Sequence, residues 1–373
     1  MREFVNGAEL IARAAIHAEC NFFAGYPITP ATPILLHMLK ELPKVNGIAI
    51  QAEDEIASIG FCIGAAMSGS RVMTATSGPG ISLYSENIGL AIMGEVPVVI
   101  VNVQRMGPAT GGATTVAQGD IQFMRWGTSG GYPVIVLAPA TASDCYDLTL
   151  KAFDLAERFR SPVFLATDKE VVSTHTTIDV DRFQTQAVRP RITAPIDSTF
   201  VPYRIANLSD TPPISHFGGQ HTVRFTTSSH DEYGYLSKDP KEVGRLNQHL
   251  SAKINNHLGE ISLTELDHQD GAETLLISYG ITSGSVREAV QYARNHGAKV
   301  SSLTVYSLWP VPESHVRNAT KRVNRVVVAE LNNRQYLHEI KRITKDVQEV
   351  IGVTRVDGEL ISPEQILSEG KIL

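Results

Sequence analysis

The chain predicts an α/β protein: a doubly wound parallel sheet followed by a smaller α/β domain. Residues 98–103 (VVIVNV) and 163–167 (VFLAT) are short, almost uninterrupted apolar runs, the pattern of strands covered on both faces. Helical periodicity lies between such runs, as a crossover between parallel strands requires. From residue 273 the strand–helix–strand alternation resumes on a smaller scale, after a stretch in which prolines cluster and helical periodicity lapses. The expected organisation is a first domain over 1–190, an irregular linker with one helix over 191–267, and a second domain over 268–373.

Taken in order, Asn6 can cap a helix running to about residue 20, with Glu9 three positions on in a capping-box arrangement. Leu10, Ala14 and residues 16–18 give it an apolar face. Residues 21–25 read as a strand, and then the chain writes Gly25-Tyr26-Pro27-Ile28-Thr29-Pro30-Ala31-Thr32-Pro33. Prolines at this density belong to neither a strand nor a helix interior, so the loop is rigid. Thr32-Pro33 fits the cap and first position of a helix over 34–42. The plain reading of this loop is a stiff connector holding Tyr26 and Thr29 at a strand's end.

Strand 47–51 leads to an acidic triplet, Glu53, Asp54 and Glu55, at the mouth of a helix almost free of charge. Small residues recur in that helix at Ala57, Gly60, Gly64, Ala65 and Gly69. An interior glycine costs ~1 kcal/mol relative to alanine, so these positions suggest that something packs closely on the helix backbone. Strand 72–75, the turn Gly78-Pro79-Gly80 and a helix over 81–93 follow. The loop 104–119 (QRMGPATGGATTVAQG) is long for a compact domain, which favours a functional role, and Arg105 is its only charge. A helix from Asp120 to Trp126, strand 133–138, a helix to Phe159 capped by Thr141 or Ser143, and strand 163–167 complete the first domain. Residues 239–258 read as the linker's helix. Strands 274–279, 299–305 and 325–330 then alternate with helices in a right-handed βαβαβ pattern.

With 373 residues, 43% hydrophobic and 19% charged, there is core enough for two domains. A formal charge of −6 without any basic run argues against a nucleic-acid binder. The apolar runs are too short to span a bilayer, and Met1-Arg2-Glu3 leads into an amphipathic segment rather than a signal peptide. Cys20, Cys62 and Cys145 form no CxxC pair, which disfavours a disulfide framework, structural zinc or an iron–sulfur cluster within this chain. A cytoplasmic location is expected. His216, His221 and His230 lie in loop-like sequence without ligand spacing, which disfavours a metal there.

The Gly78-Pro79-Gly80 turn could cradle a phosphate on helix-end amides, but the Walker lysine and the GxGxxG spacing are absent. The combination resembles instead the pyrimidine-binding domain of thiamine-diphosphate enzymes, where a glutamate enters on a glycine-rich helix and a strand ending in Thr-Ser-Gly-Pro-Gly follows. The matching residues are Glu55 and Thr76-Ser77-Gly78-Pro79-Gly80. The resemblance implies that the Glu55 carboxyl shares a proton with the cofactor's aminopyrimidine ring and favours its imino tautomer. Apolar surroundings favour the protonated form of a carboxyl, which suits it to that exchange. Glu55 precedes Gly64 by nine residues and Gly69 by fourteen, the spacing of that group. Glu53 remains the alternative, and Glu53 and Asp54 otherwise read as first-turn dipole partners.

Tyr26-Pro27-Ile28-Thr29-Pro30, together with Gln104-Arg105-Met106-Gly107-Pro108-Ala109-Thr110-Gly111, narrows the resemblance to the α subunit of 2-oxoacid:ferredoxin oxidoreductases. Residues 273–343 are similar to that family's transketolase C-terminal-like domain II, so the likeness covers nearly the whole chain. Its length and the His-Asp-Glu-Tyr-Gly-Tyr segment at 230–235 resemble the 2-oxoglutarate type most, with branched-chain 2-oxoacids and pyruvate left open. By resemblance, Thr29, Arg105 and Tyr26 would bind the 2-oxoacid, and Pro27, Glu55, Ser77 and Gly78 the thiamine diphosphate. A guanidinium forks well onto a carboxylate, although a capping threonine and a solvated loop arginine are the plainer readings. Asp120 reads as a helix cap rather than a catalytic group.

The GDG element that marks diphosphate and magnesium binding is missing from the sequence. The resemblance therefore implies a β subunit, with or without further γ and δ subunits, carrying Mg2+ and the iron–sulfur cluster. Ferredoxin would be the electron acceptor, and CoA the acyl acceptor. A single-chain thiamine-diphosphate synthase or decarboxylase is the enzymatic rival, disfavoured by the missing GDG. A scaffold subunit that has lost its chemistry is the other, disfavoured by the joint presence of Thr29, Glu55 and Arg105.

Overall fold

The fold is that of a computed structural model, which describes all residues except 184–187 and 198. Strand β1 (Arg2–Val5) opens the chain, followed by β2 (Phe22–Gly25), β3 (Ile48–Gln51), β4 (Val72–Thr76) and β5 (Val98–Gln104). Next come β6 (Ile135–Leu137), β7 (Pro162–Asp168) and β8 (Thr176–Asp179). The rest of the chain supplies β9 (Thr264–Asp267), β10 (Thr274–Ser278), β11 (Val300–Val305), β12 (Ser307–Trp309), β13 (Arg325–Glu330) and β14 (Glu349–Thr354).

The larger sheet has the order β12-β6-β7-β5-β4-β2-β3, parallel except for β12, which runs antiparallel to β6. The smaller has the order β14-β13-β10-β11-β9, parallel except for β9 against β11. Every residue of β5 and β7 is buried, which is why both read as continuous apolar runs. Val99, Val101 and Val103 face a core with the helices Gly7–His17, Thr32–Glu41 and Ala142–Phe159. Val98 and Ile100 face a second core that continues into Leu275, Ile277, Val305 and Tyr336. The first domain and the second are thus joined by shared apolar packing.

The expected caps at Asn6 and Thr141 form: each side-chain oxygen accepts the backbone N–H three residues on, at 3.0 and 3.2 Å. Elsewhere the elements differ from expectation. The helix after the proline loop already includes Thr32, and no side chain caps it. The expected helix over 81–93 is two, Pro79–Leu83 and Ser85–Met93, which meet at buried Tyr84. The Tyr84 hydroxyl lies 2.8 Å from Thr74 Oγ1. The segment after residue 174 contains β8, which pairs antiparallel with β1. Residues 307–309 join the larger sheet rather than the smaller one, and the Trp309 indole N–H donates to the Ile121 carbonyl at 3.0 Å.

The linker is fastened by buried charge. Its helix, Pro240–Asn255, carries His249 and Lys253 back to Glu95, just before β5, with Nε2 and Nζ 3.1 and 2.6 Å from Glu95 Oε2. Buried Arg160 donates through Nε to the Glu95 carbonyl and through Nη1 to the carbonyls of Pro202, Pro212 and Pro213. No helix among the described residues is long and apolar enough to cross a membrane.

Candidate active site

β2, β4 and β5 are neighbours, and their carboxyl ends bring together the proline loop, the Ser77–Gly80 turn and Arg105. Ligands of open α/β sheets gather beyond this edge. The helix that follows β3 begins at Glu55, because Asp54 is its N-cap: the Asp54 carboxylate accepts the Ala57 N–H at 2.7 Å. Glu53 is exposed outside the helix. The triplet therefore splits into an outlier, a cap and a first-turn residue that points inward. Glu55 is only 7% exposed, and its carboxylate has no hydrogen-bond partner among the described residues. It rests against the Gly80 backbone. A Cβ there would stand 2.8 Å from Glu55 Cγ and 2.9 Å from Oε1.

Arg105 is buried, not solvated, at 4% exposure. Its Nη1 donates to the Thr29 carbonyl, and Nη2 to the Thr110 carbonyl at 3.2 Å. Nε is buried without a partner, pressed against Gly78. Gly78 has φ +49°, and a Cβ would lie 2.6 Å from Arg105 Nε, so both its conformation and its neighbour call for glycine. Burial draws the guanidinium pKa down, while Asp120 and Glu55 oppose that shift. Thr29 and Pro27 are exposed and Tyr26 is half-buried, so the loop reaches Arg105 through backbone and leaves the Thr29 side chain free for a ligand. Ser77 is fully buried, with an Oγ that has no partner among the described residues.

The expectation that Asp120 is a helix cap is corrected. It stands at the start of Ile121–Trp126, but its side chain makes no capping bond. The carboxylate turns back to β5 and accepts from Asn102 Nδ2 at 3.0 Å, while its N–H donates to Gln104 Oε1 at 3.2 Å. Burial pushes its pKa up to about 6, against the pull of Asn102 and Arg105. Asp120 borders a cavity of about 450 Å³ that also touches Gly78, Phe123, Asn332 and Gln335. The available sequence signal was an acid closing a glycine-rich loop before a helix of six residues.

A second group escaped the sequence reading. Buried Gln118 donates to the Tyr279 carbonyl at 3.0 Å, and its Oε1 accepts from Thr282 Oγ1 at 3.1 Å and the Leu331 N–H at 3.0 Å. Asp168, at the end of β7, accepts the Ile281 N–H at 2.6 Å. This junction sets the second domain beside the cavity. His216 is exposed, His221 lies 3.1 Å from Ser215 Oγ, and buried His230 lies 2.8 Å from the Ser228 carbonyl. Among the described residues no group of three His, Cys, Asp or Glu is placed to hold a metal ion.

The unpartnered Glu55, the orphaned Ser77 Oγ and the orphaned Arg105 Nε lie around two glycines that admit no side chain. These residues fit the pyrimidine end of thiamine diphosphate: an acid for a ring nitrogen, a hydroxyl, and backbone without Cβ atoms in the way. Fold and site together define a thiamine-diphosphate-binding α/β domain. Residues 13–247 match the family described as pyruvate flavodoxin/ferredoxin oxidoreductase, thiamine diphosphate-binding, and residues 272–366 match pyruvate:ferredoxin oxidoreductase core domain II. The chain belongs to this pyruvate flavodoxin/ferredoxin oxidoreductase family.

Within it, the chain is 40% identical over 367 residues to the 2-oxoglutarate synthase subunit KorA of Methanothermobacter thermautotrophicus, covering 98% of this chain and 97% of that protein. Among solved structures it is similar to a 2-oxoglutarate:ferredoxin oxidoreductase from Magnetococcus marinus with 2-oxoglutarate, coenzyme A and succinyl-CoA bound. The TM-score is 0.93 at 31% identity. That match covers all of this chain but 65% of the other. A split-gene transketolase, at TM-score 0.56 and 12% identity, shares the fold alone.

Proposed function

We propose that this chain is the α subunit of a thiamine-diphosphate-dependent 2-oxoglutarate:ferredoxin oxidoreductase, working in the cytoplasm with a β subunit. The observation that carries this is the buried, unpartnered Glu55 carboxylate held against Gly80, with Arg105 behind Gly78 on the same edge. The net reaction joins 2-oxoglutarate and CoA to give succinyl-CoA and CO2, and passes two electrons to ferredoxin. Thiamine diphosphate, when bound, supplies the electron sink that decarboxylation of a 2-oxoacid requires.

The chain's own residues bind, orient and move one proton. Glu55 exchanges that proton between its carboxyl and the pyrimidine ring nitrogen. Pro27, Ser77 and Gly78 line the ring's place. Arg105 holds the 2-oxoacid carboxylate through N–H donors left over from its two backbone bonds, and the Thr29 hydroxyl donates to the neighbouring oxygen. Tyr26 closes the side of that place. Burial of Arg105 excludes water from the contact, which strengthens it.

Mg2+, the diphosphate site and the iron–sulfur cluster are assigned to partner subunits. The three cysteines of this chain are each buried and unpaired, and three thiols fall short of the four that a cluster takes. The helix Glu55–Met67 supports a partner on its outer face: Ile56 and Phe61 are 51% and 48% exposed, and Gly60 and Gly64 look onto open space.

Reconstitution of Glu55→Gln with the β subunit tests the assignment. Viologen reduction with 2-oxoglutarate and CoA should fall by about 100-fold or more, while the subunits still co-purify. Near-normal turnover would remove Glu55 from the chemistry. A preference of the wild-type complex for 2-oxoisovalerate or pyruvate would instead overturn the substrate.

A further inference from the structure

Asp120 and Arg105 are opposite charges that act on each other without forming an ion pair. Arg105 spends its side-chain bonds on two backbone carbonyls, and its Nε is buried and unpaired beside Gly78. The cavity bordered by Asp120 is lined by that same Gly78 as well. One Asp120 oxygen is taken by Asn102 Nδ2. Arg105 is the charge that bears on Asp120; the other polar groups around it, Asn102 and Gln104 on β5 and Asn332 and Gln335 from the second domain, are neutral. Glu55 acts on Arg105 from the opposite helix.

We propose that Asp120 is the charge-compensating positioning residue of the anion site: ionised while Arg105 holds no ligand, and protonated from solvent when a 2-oxoacid carboxylate docks there. The inference rests on the reading of Arg105 as the carboxylate's anchor. The physical reason is simple. A second anion beside a partly buried carboxylate raises that carboxylate's affinity for a proton, and Asp120 already stands near the threshold, at about 6. Each bound 2-oxoacid then brings one proton with it, the added proton forming the O–H bond of the Asp120 carboxyl. By linkage, binding weakens as pH rises through the interval between the empty-site and loaded-site values.

The test uses the reconstituted complex with 2-oxoglutarate. In the wild type, KM should rise by up to about ten-fold per pH unit from pH 6.5 to 8. Calorimetry on complex prepared without thiamine diphosphate, in two buffers of different ionisation enthalpy, should show uptake approaching one proton per site at pH 7.5. Asp120→Asn, which keeps an oxygen for Asn102, should flatten the KM profile and abolish the uptake. Asp120→Glu should restore both, which a merely structural role would not do. Equal slopes in wild type and Asp120→Asn, or no uptake by the wild type, overturn the inference. Arg105→Lys separates the two levels: a KM unchanged by it removes the anchor and the inference together. A KM raised by it, with equal slopes in wild type and Asp120→Asn, removes the inference alone.

Discussion

The Glu55 carboxylate and the Gly80 backbone are in contact across the helix–turn boundary, so that a Cβ at Gly80 would fall 2.8 Å from Glu55 Cγ and 2.1 Å from Thr76 Oγ1. The two neighbours differ in how easily they yield: Thr76 is held in a buried strand, whereas no hydrogen bond among the described residues anchors the Glu55 carboxylate. Gly80→Ala should therefore move the acid rather than the strand. The expected result is a loss of turnover of about ten-fold or more, since displacements near 1 Å at a reacting group are costly. Thiamine-diphosphate titration of the complex should weaken in step, with little change in Tm of the chain.

Gly60 and Gly64 behave differently, although the sequence reads them, with Ala57, Ala65 and Gly69, as signs of close packing. Within this chain nothing approaches either position. Gly60→Arg should leave the thermal stability of the isolated chain unchanged or slightly raised, because glycine is the poorer helix former. If the partner covers this face, the same substitution should abolish co-purification with the β subunit. Retained assembly would place the interface elsewhere.

Local chemistry explains what could be read without coordinates. The Asn6 and Thr141 caps, the strand at 98–104 and the acid that opens a glycine helix are each set by residues within a few positions of one another. The role of Asp120 is not legible locally, because its position before a helix suggests a cap while its partner Asn102 lies eighteen residues back on β5. The burial of Arg105 depends on Thr29 and Gly78 arriving from two other loops. β12 has three residues, too few for a strand periodicity to register, and its place on the larger sheet is fixed by pairing with β6 some 170 residues earlier. The Gln118–Asp168 junction likewise exists only once the two sheets are side by side.

Asp168 at that junction yields a pH prediction. Burial pushes its pKa up from 3.8 to about 7, with the Ile281 N–H and Gln118 pulling the other way. A folded-state value above the unfolded one means that the native chain binds the extra proton between those limits. The associated stability is full below the unfolded value and lost as pH rises through about 7. The difference could reach ~4 kcal/mol at most. Tm should thus be lower at pH 8 than at pH 5.5 on this account, and Asp168→Asn, whose amide oxygen can still accept from Ile281, should flatten the profile. An unchanged profile in Asp168→Asn would assign the dependence to another group.

The ion cluster under the linker makes the opposite prediction with pH. Glu95 is fully buried, and its Oε2 takes both Lys253 and His249. Burial alone would push its pKa up; Lys253 and His249 more than reverse this and hold the carboxyl well below the usual range. Its stabilising contribution is then present above the ordinary carboxylate value and lost only as pH falls through the depressed one. Lys253→Met leaves a buried carboxylate without its ammonium, an arrangement that costs about 3–5 kcal/mol. The loss should be greatest at pH 8 and smaller near pH 5, where the stranded Glu95 can accept a proton. Adding Glu95→Met to Lys253→Met should recover most of the stability, because a buried ion pair offsets its own desolvation and adds little beyond a well-packed apolar pair. Tm of the full chain, followed across pH for both single variants and the double, separates these cases. A double variant as unstable as Lys253→Met would mean that His249 and the linker carbonyls on Arg160, rather than the ion pair, fasten the linker.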